Sequence, residues 1–198
     1  MTINASPDIQ ALLERYCRSG KIAGGIGAVV SKEGFRSLSV TGYRDREAEE
    51  PLLEDAVFRI YSMTKPITSL AAMMLWEEGC FDLDDPVADY LPAFSETRIF
   101  QESGASLSSP TRMTIRHVFC HTAGITLPAF SEDPLCDVYR AEGLDGMRSQ
   151  GTLSSVVDRL GRLPVLFEPG TRWKYSMATD ILGCLIEVWS GQPFEASL

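Results

Sequence analysis

Two short groups of residues contain side chains suited to nucleophilic chemistry. The first is Ser62-Met63-Thr64-Lys65, at the predicted start of a long apolar helix. Residues three apart lie on the same helical face, so Lys65 can reach the Ser62 hydroxyl. A serine hydroxyl attacks poorly at neutral pH without a base, and a partly desolvated lysine can provide one. Taken alone, these four residues are explained more simply as a helix-capping serine and a surface lysine.

The second group is Trp173-Lys174-Tyr175-Ser176-Met177, which follows a predicted turn and precedes an apolar helix. A tyrosine on such a loop can project its hydroxyl into a cleft. Beside a lysine ammonium its phenolate becomes less costly, so the side chain can act as a base or pass a proton on. By itself, Tyr175 is more simply explained as a ring packed on the core with its hydroxyl at the surface.

Two further groups contain residue types that bind metal ions. His117 and His121 are four apart, with Cys120 beside them, which is a spacing that zinc sites use on helices. No third ligand stands out, so a structural helix and turn is the favoured interpretation. A run of three aspartates lacks the glycine and the distal glutamate of a calcium loop, and turn or cap roles are expected for it: Asp82, Asp84 and Asp85. We therefore predict no metal and no cofactor.

Apolar periodicity and turn residues predict the elements that must position these groups. A helix capped by Ser6, with Pro7 in its first turn, ends near Gly20, and two strands follow at 22–31 and 35–43 with a tight link between them. Four further helices are predicted, at 62–78, 114–120, 154–163 and 178–190. Polar loops are predicted at 44–55 and 95–110, and 131–152 has no clear pattern. This order indicates an α+β protein whose sheet has two strands.

Composition limits the possible functions. The 198 residues are 44% hydrophobic and carry a net charge of −9, which is typical of a globular protein and argues against nucleic acid as a partner. No apolar run approaches the ~20 residues of a membrane span. The first residues lack the basic and apolar stretches of a secretory signal, so a cytoplasmic location is expected. The five cysteines are widely spaced and odd in number, which favours small buried side chains over disulfides.

Five sequence blocks together carry a family resemblance. They occupy 58–66 (FRIYSMTKP), 83–87 (LDDPV), 115–125 (IRHVFCHTAGI), 167–176 (FEPGTRWKYS) and 180–193, which begins DILG and ends SGQP. In order and spacing they resemble the serine β-lactamase and penicillin-binding-protein-like superfamily. The resemblance covers about residues 9–194 and is closest to family VIII carboxylesterases, which are class C β-lactamase-like esterases.

The resemblance implies a role for each chemical group. Ser62 would be the acylated nucleophile, Lys65 its general base and Tyr175 the proton relay, with the backbone N–H of Ser62 as one oxyanion donor. The reaction would be acyl transfer in two steps, through an acyl-serine that water then hydrolyses. The implied fold is a β-lactamase-like antiparallel sheet flanked by helices, with residues 1–61 giving a helix and hairpin and 62–198 a helical region.

One departure from the family pattern bears on the substrate. Class C β-lactamases carry Tyr-x-Asn, whose amide contacts the lactam side chain, whereas Met177 stands at that place here and offers no such donor or acceptor. We therefore expect a carboxylesterase that hydrolyses small carboxylic esters. β-Lactamase activity, D-alanyl peptidase activity and a non-catalytic binding protein on the same scaffold remain alternatives.

The resemblance also implies parts that these 198 residues lack. The family has a third motif, on a strand downstream of the tyrosine, and that strand supplies the second oxyanion donor and belongs to the C-terminal part of the sheet. No candidate for it occurs before Leu198. We expect either a longer protein or a second chain that completes the sheet, with a short paralogue that has lost catalysis as the alternative. The expected partners are thus a small ester and such a segment, with neither nucleic acid nor membrane.

Overall fold

The computed structural model describes residues 4–197, and the chain divides into two compact units, residues 1–60 and 61–198. Within its described residues, 4–60, the first unit contains one helix, α1 (Pro7–Arg18), and three antiparallel strands in the order β1 (Gly24–Ser31), β2 (Gly34–Asp45), β3 (Glu50–Pro51). Pro7 opens α1 as predicted, but Ser6 at the N-cap makes no side-chain capping bond.

Helix α1 packs on the hairpin through an apolar stripe that the sequence predicted. Ile9 and Leu13 lie so close to β1 that a Cβ at Gly27 would collide with Ile9 Cγ2. A side chain at that position would push the helix away from the sheet, so glycine permits the close packing. Helix α1 therefore packs closely against the β1–β2 hairpin at Gly27.

The second unit is mainly helical. Its helices are α2 (Thr64–Glu77), α3 (Ile115–Phe119), α4 (Leu135–Ala141), α5 (Leu153–Gly161) and α6 (Ala178–Ser190), and its strands are β4 (Arg98–Phe100) and β5 (Ser106–Ser108). Helix α6 is central, because α2, α3 and α5 all pack against it. Its bounds agree with the sequence prediction, and Gly191 ends it in the left-handed conformation, at φ 67°.

Three expectations about local structure were wrong. The supposed loop 44–55 contains β3, so the first sheet has three strands rather than two. The serine-rich segment 95–110 contains the β4–β5 hairpin, which joins the helical core because Ile99 forms a parallel bridge with Val165. Helix α2 begins at Thr64, and a turn of 3₁₀-helix precedes it at Tyr61–Met63.

Helix α2 is also less buried than its apolar composition predicted. Only Thr68 and Ala72 are buried. Four exposed apolar side chains follow at spacings of four, three and four residues, which places them on one face of the turn and helix: Met63, Ile67, Leu70 and Met74. We call these four residues the α2 stripe.

Two composition-based expectations can be compared with the structure. No helix within residues 4–197 combines the length and the apolarity that a membrane span requires. Cys136 and Cys184 are buried, but Cys17 and Cys80 are half-buried and Cys120 is exposed, so the expectation of uniformly buried cysteines was wrong.

Candidate active site

Ser62 lies in the 3₁₀ turn that leads into α2, where its side chain is exposed. The preceding residue, Tyr61, has φ 47°, a left-handed conformation that is costly for a bulky side chain. Strain of this kind, of the order of 1–3 kcal/mol, persists only where the surrounding structure holds it, and it often marks functional positions. The local backbone thus presents the Ser62 hydroxyl outward just before the helix begins.

The structure brings the three predicted chemical groups together. The Tyr175 hydroxyl donates a hydrogen bond of 2.7 Å to Ser62 Oγ, although the two residues are 113 positions apart. Lys65 Nζ lies 4.9 Å from the centroid of the Tyr175 ring. Tyr175 therefore contacts both the candidate nucleophile and the candidate cation.

The surroundings of Tyr175 favour its ionised form. Partial burial raises the pKa of the phenol, but hydrogen bonding with Ser62 and Lys65 and the positive charge of Lys65 outweigh burial and the opposing charge of Asp180. The pKa of Tyr175 is therefore below its ordinary value. A phenol of this kind is better suited to accept and return a proton near neutral pH.

Tyr175 is held in place through both of its neighbours. The backbone N–H of Lys174 donates to the carbonyl of His121 at 2.9 Å. Ser176 is buried, and its Oγ lies 3.1 Å from His121 Nδ1. The His121 ring also packs against the Tyr175 ring, with 5.1 Å between centroids. Burial, and then the charge of Lys65, lower the pKa of His121, so a neutral imidazole supports the tyrosine.

The histidines considered as zinc ligands have other contacts in the structure. His117 completes a capping box at the start of α3, where its Nδ1 accepts the Thr114 N–H at 3.2 Å and the Thr114 hydroxyl accepts the His117 N–H. His121 contacts Ser176 and Tyr175, as described. Within residues 4–197 there is no group of three His, Cys, Asp or Glu side chains arranged to hold a metal ion.

The aspartate run has turn and ion-pair contacts. Asp85 Oδ2 accepts the Asp82 N–H at 2.8 Å and the Tyr90 hydroxyl at 2.7 Å. Asp84 binds Arg116 through two hydrogen bonds, of 2.7 and 2.9 Å. These contacts fix the turn against the start of α3.

A cavity of about 500 Å³ opens beside Ser62 and Lys65. Tyr61, Ser176 and Asp180 also line it, and they belong to blocks named from the sequence. Four further lining residues lie outside every group or block singled out from the sequence: Leu127, Phe130, Gly146 and Met147. These lining residues come from the turn before α2, from two loops and from the segment around the start of α6. Such residues are adjacent only after folding, so no local sequence pattern could have identified them together.

Known proteins are similar to this chain over most of its length. The family described as Beta-lactamase matches residues 9–198. Esterase EstB from Burkholderia gladioli is 34% identical over 192 residues, which are 96% of this chain and 47% of EstB. The chain spans about half the length of the curated relatives it matches.

Solved structures with a similar fold include a hydrolase and a synthase. EstCE1, described as a hydrolase with promiscuous acyltransferase activity, superposes with a TM-score of 0.79 at 30% identity, covering 96% of this chain and 48% of EstCE1. Simvastatin synthase (LovD) from Aspergillus terreus superposes with a TM-score of 0.73 at 26% identity, covering 96% of this chain and 49% of LovD. The fold is therefore β-lactamase-like, as the sequence blocks implied.

Proposed function

The chain belongs to the beta-lactamase family, and from that membership we propose that it is a serine hydrolase of carboxylic esters with Ser62 as its nucleophile. The observation that carries this proposal is the 2.7 Å hydrogen bond between Tyr175 and Ser62 beside an open cavity. An exposed serine that is hydrogen-bonded to a phenol of lowered pKa is the arrangement that nucleophilic catalysis needs.

In the first step, Tyr175 acts as its phenolate. Ser62 Oγ attacks the ester carbonyl carbon while its proton passes to the phenolate oxygen, across the contact that Tyr175 donates when it is protonated. The carbonyl oxygen becomes an oxyanion, which the backbone N–H of Ser62 stabilises. The tetrahedral intermediate then collapses, the bond to the alkoxy oxygen breaks, and that oxygen leaves with the proton from Tyr175. The products of this step are an acyl-serine and a free alcohol.

In the second step, water attacks the acyl-serine and gives its proton to Tyr175. Collapse of the second intermediate releases the carboxylic acid, and Ser62 Oγ recovers a proton from Tyr175. The same phenol thus serves as base and acid in turn, as microscopic reversibility requires.

The role of Lys65 remains a proposal in two forms. The sequence predicts Lys65 as the general base for Ser62. The 4.9 Å approach of its Nζ to the Tyr175 ring supports a role in which its charge stabilises the phenolate and Tyr175 itself takes the proton. We propose the second form, in which Lys65 acts through Tyr175.

Met177 supports an ester rather than a β-lactam substrate. Its side chain is fully buried at the start of α6, so it presents no polar group to the cavity. The relative EstB, which is described as an esterase, points in the same direction.

A second candidate function is acyl transfer to an alcohol. EstCE1 is described with acyltransferase activity, and LovD is a simvastatin synthase. An alcohol that attacks the acyl-serine in place of water would give a new ester by the same atoms and the same proton path.

The chain covers about half of its relatives, so we also propose that the complete active site takes a second oxyanion donor from outside residues 1–198, either from a further segment or from a second chain. Loss of one such donor typically costs ~10²–10³ in rate. Residues 1–198 alone should accordingly acylate Ser62 slowly.

The proposal is tested by labelling and by turnover. Intact-mass spectrometry after incubation with a fluorophosphonate should show one adduct, on Ser62, which is lost in Ser62→Ala and retained in the control Ser69→Ala. Hydrolysis of p-nitrophenyl acetate should exceed that of a chromogenic cephalosporin, and a new ester in the presence of 1-butanol would reveal acyl transfer. A protein that forms no adduct and turns over no ester contradicts the proposal.

A further inference from the structure

We propose that Asp133 is a positioning residue that places Tyr175 against Ser62 and fixes one wall of the cavity. This inference rests on the proposed function and adds to it a residue that the reaction depends on. It concerns a set of four residues that we call the Asp133 cluster: Thr126, Ser131, Asp133 and Lys174.

One carboxylate oxygen holds the Asp133 cluster together. Asp133 Oδ2 accepts hydrogen bonds from Ser131 Oγ at 2.6 Å and from Thr126 Oγ1 at 2.7 Å, and Lys174 Nζ lies 3.2 Å away. Lys174 Nζ also donates to Ser131 Oγ at 2.6 Å. The other oxygen, Oδ1, is buried and accepts no hydrogen bond within residues 4–197. The cost of burying the Asp133 carboxylate is therefore offset by the hydrogen bonds at Oδ2. Loss of any one of these partners would leave part of that cost uncompensated.

The Asp133 side chain is only 16% exposed, so its charge is held in a partly desolvated place. Burial alone would raise the pKa of this carboxyl, but the hydrogen bonds from Ser131, Thr126 and Lys174 outweigh it and keep the pKa below its ordinary value. The carboxylate is therefore ionised at neutral pH. Charge-assisted hydrogen bonds of this kind are stronger than neutral ones and fix geometry more firmly.

Two contacts join the loop 126–133 to the segment that carries Tyr175. Lys174 directly precedes Tyr175 and binds Asp133 and Ser131 through its side chain. On the other side, the Met177 N–H donates to the carbonyl of Thr126 at 3.3 Å. Tyr175 thus lies between two attachments to one loop, and that loop is itself gathered around Asp133.

The same loop forms part of the cavity wall. Leu127 and Phe130 line the cavity beside Ser62, and both lie between the two hydroxyl residues that bind Asp133. Arg140 fastens the loop from outside, because its Nη2 donates to the carbonyl of Pro128 at 2.8 Å. The Asp133 carboxylate therefore holds in place both the segment that carries Tyr175 and the loop that forms the apolar wall of the cavity.

Positioning at this level has a large kinetic effect. A displacement of about 1 Å in a reacting group can cost about 10²-fold in rate. Asp133→Asn keeps the size of the side chain but removes the charge that holds Lys174. We expect kcat for p-nitrophenyl acetate to fall by roughly 10- to 100-fold, with KM changing far less.

A matched control is an aspartate in an exposed ion pair away from this loop. Asp158 pairs with Arg162 at 3.1 Å, its side chain is 53% exposed, and it is not among the residues that line the cavity beside Ser62. Asp158→Asn should leave kcat within about twofold of the parent, as expected for an exposed ion pair of small net energy. Equal losses in the two variants would overturn the proposal, as would a folded Asp133→Asn with unchanged kcat.

A second measurement separates positioning from a simple charge effect and does not need turnover. Tyr175 faces Lys65 from α2, Asp180 from α6 and the neutral ring of His121. Removal of a nearby negative charge lowers a phenol pKa, whereas loss of the contacts with Ser62 and Lys65 raises it. In ¹³C-tyrosine NMR, assigned with Tyr175→Phe, we expect the Tyr175 titration of Asp133→Asn to move upward.

The outcomes of the two measurements are distinct. A downward or absent shift of the Tyr175 titration overturns the role of Asp133, whether or not the protein hydrolyses esters. An upward shift in a protein whose Ser62 accepts no phosphonate supports the positioning role and contradicts the proposed hydrolysis. Asp133→Glu, which retains the charge, should recover part of kcat, and urea unfolding confirms that each variant is folded.

Discussion

In the proposed mechanism, a proton moves between the Ser62 hydroxyl and the Tyr175 phenol, which are in direct hydrogen-bond contact. The 2.7 Å contact supplies the path, and the Lys65 ammonium supplies the charge that stabilises a phenolate. Neither feature depends on the identity of the ester. At the scale of single residues, the chemistry is thus set by one hydroxyl, one phenol and one cation.

Replacement of the phenol should therefore separate chemistry from binding. Tyr175→Phe keeps the ring against His121 and Lys65 but removes the atom that exchanges the proton. We expect kcat for p-nitrophenyl acetate to fall by about 10²–10⁴ with little change in KM, because general acid–base catalysis contributes about that much. Steady-state kinetics at several pH values would measure both parameters.

Tyr90→Phe is the control for that experiment. The Tyr90→Phe substitution also removes a hydrogen bond of 2.7 Å, to Asp85. Tyr90 does not line the cavity beside Ser62. Its kcat should stay within about twofold of the parent protein. If Tyr175→Phe retained most of its kcat, the general base would be Lys65, as the sequence alone predicts.

Sequence reasoning reached some of these residues and missed others for a physical reason. Local patterns drew attention to Ser62, Lys65 and Tyr175, but only the family resemblance of the five sequence blocks together assigned them catalytic roles. Asp133 has no local pattern, because its partners lie up to 41 positions away along the chain, at Lys174. Its place in the site follows only from the packing of the loop 126–133 beside the segment that carries Tyr175.

Helix α3 is short, and its start depends on a hydrogen bond to the His117 side chain. His117 can accept this bond when its ring is neutral but not when Nδ1 is protonated. His117 Nδ1 accepts the Thr114 N–H, so protonation of that nitrogen would break the capping box. Burial lowers the pKa of His117, with the charge of Asp84 acting against it and that of Arg116 with it. The helix is therefore adapted to the neutral ring.

The pH dependence of stability follows from the direction of that shift. Because the pKa of His117 is lower in the folded state, the unfolded chain binds more protons once the pH approaches its ordinary value of about 6.5. The free energy of unfolding should then fall as the pH decreases from about 7 through 6.5 and stop falling below the folded-state pKa. His121 has a shift of the same sign, so the two effects add.

Two substitutions at position 117 should act differently. His117→Gln can still accept the Thr114 N–H but does not titrate, so part of the loss between pH 7.5 and pH 5.5 should disappear. His117→Ala should be destabilised by about 0.5–2 kcal/mol at both pH values, the typical cost of a lost cap. Urea unfolding followed by circular dichroism measures both. A His117→Gln variant with the full pH dependence would show that the capping box does not titrate.

Secondary-structure elements were predicted correctly where their stability depends on their own residues. Helix α6 has apolar residues on its buried face and a glycine stop, so its bounds could be read from the sequence. The β4–β5 hairpin was missed because each strand has only three residues and the segment around them is rich in serine. Its support comes from Val165, whose N–H donates to the carbonyl of Arg98 at 2.7 Å and whose carbonyl accepts the Phe100 N–H at 2.8 Å.

The α2 stripe is the feature that concerns the molecule as a whole. Apolar side chains in an amphipathic helix ordinarily face a core, yet Leu70 is 63% exposed and Met74 is 56% exposed. Contiguous exposed apolar surface commonly marks a contact with another surface. The apolar composition of the segment allowed a helix to be predicted, but composition cannot say which face has a partner.

We therefore expect the 198-residue polypeptide to associate with itself through the α2 stripe. Sedimentation velocity should show a mass that rises with concentration, and Leu70→Gln with Met74→Gln should restore the monomer. The control is Leu107→Gln on β5, where a side chain of similar exposure, 57%, stands outside the stripe. Association that persists unchanged in the double variant would place the contact elsewhere.

The separation of 113 positions between Ser62 and Tyr175 also sets a time order. During synthesis at about 5–20 residues per second, Ser62 is made roughly 6 to 23 seconds before Tyr175 exists. Until then its hydroxyl has no phenol beside it and is as unreactive as any other serine. Under the proposed mechanism, the growing chain therefore cannot react with esters until the helical unit has folded.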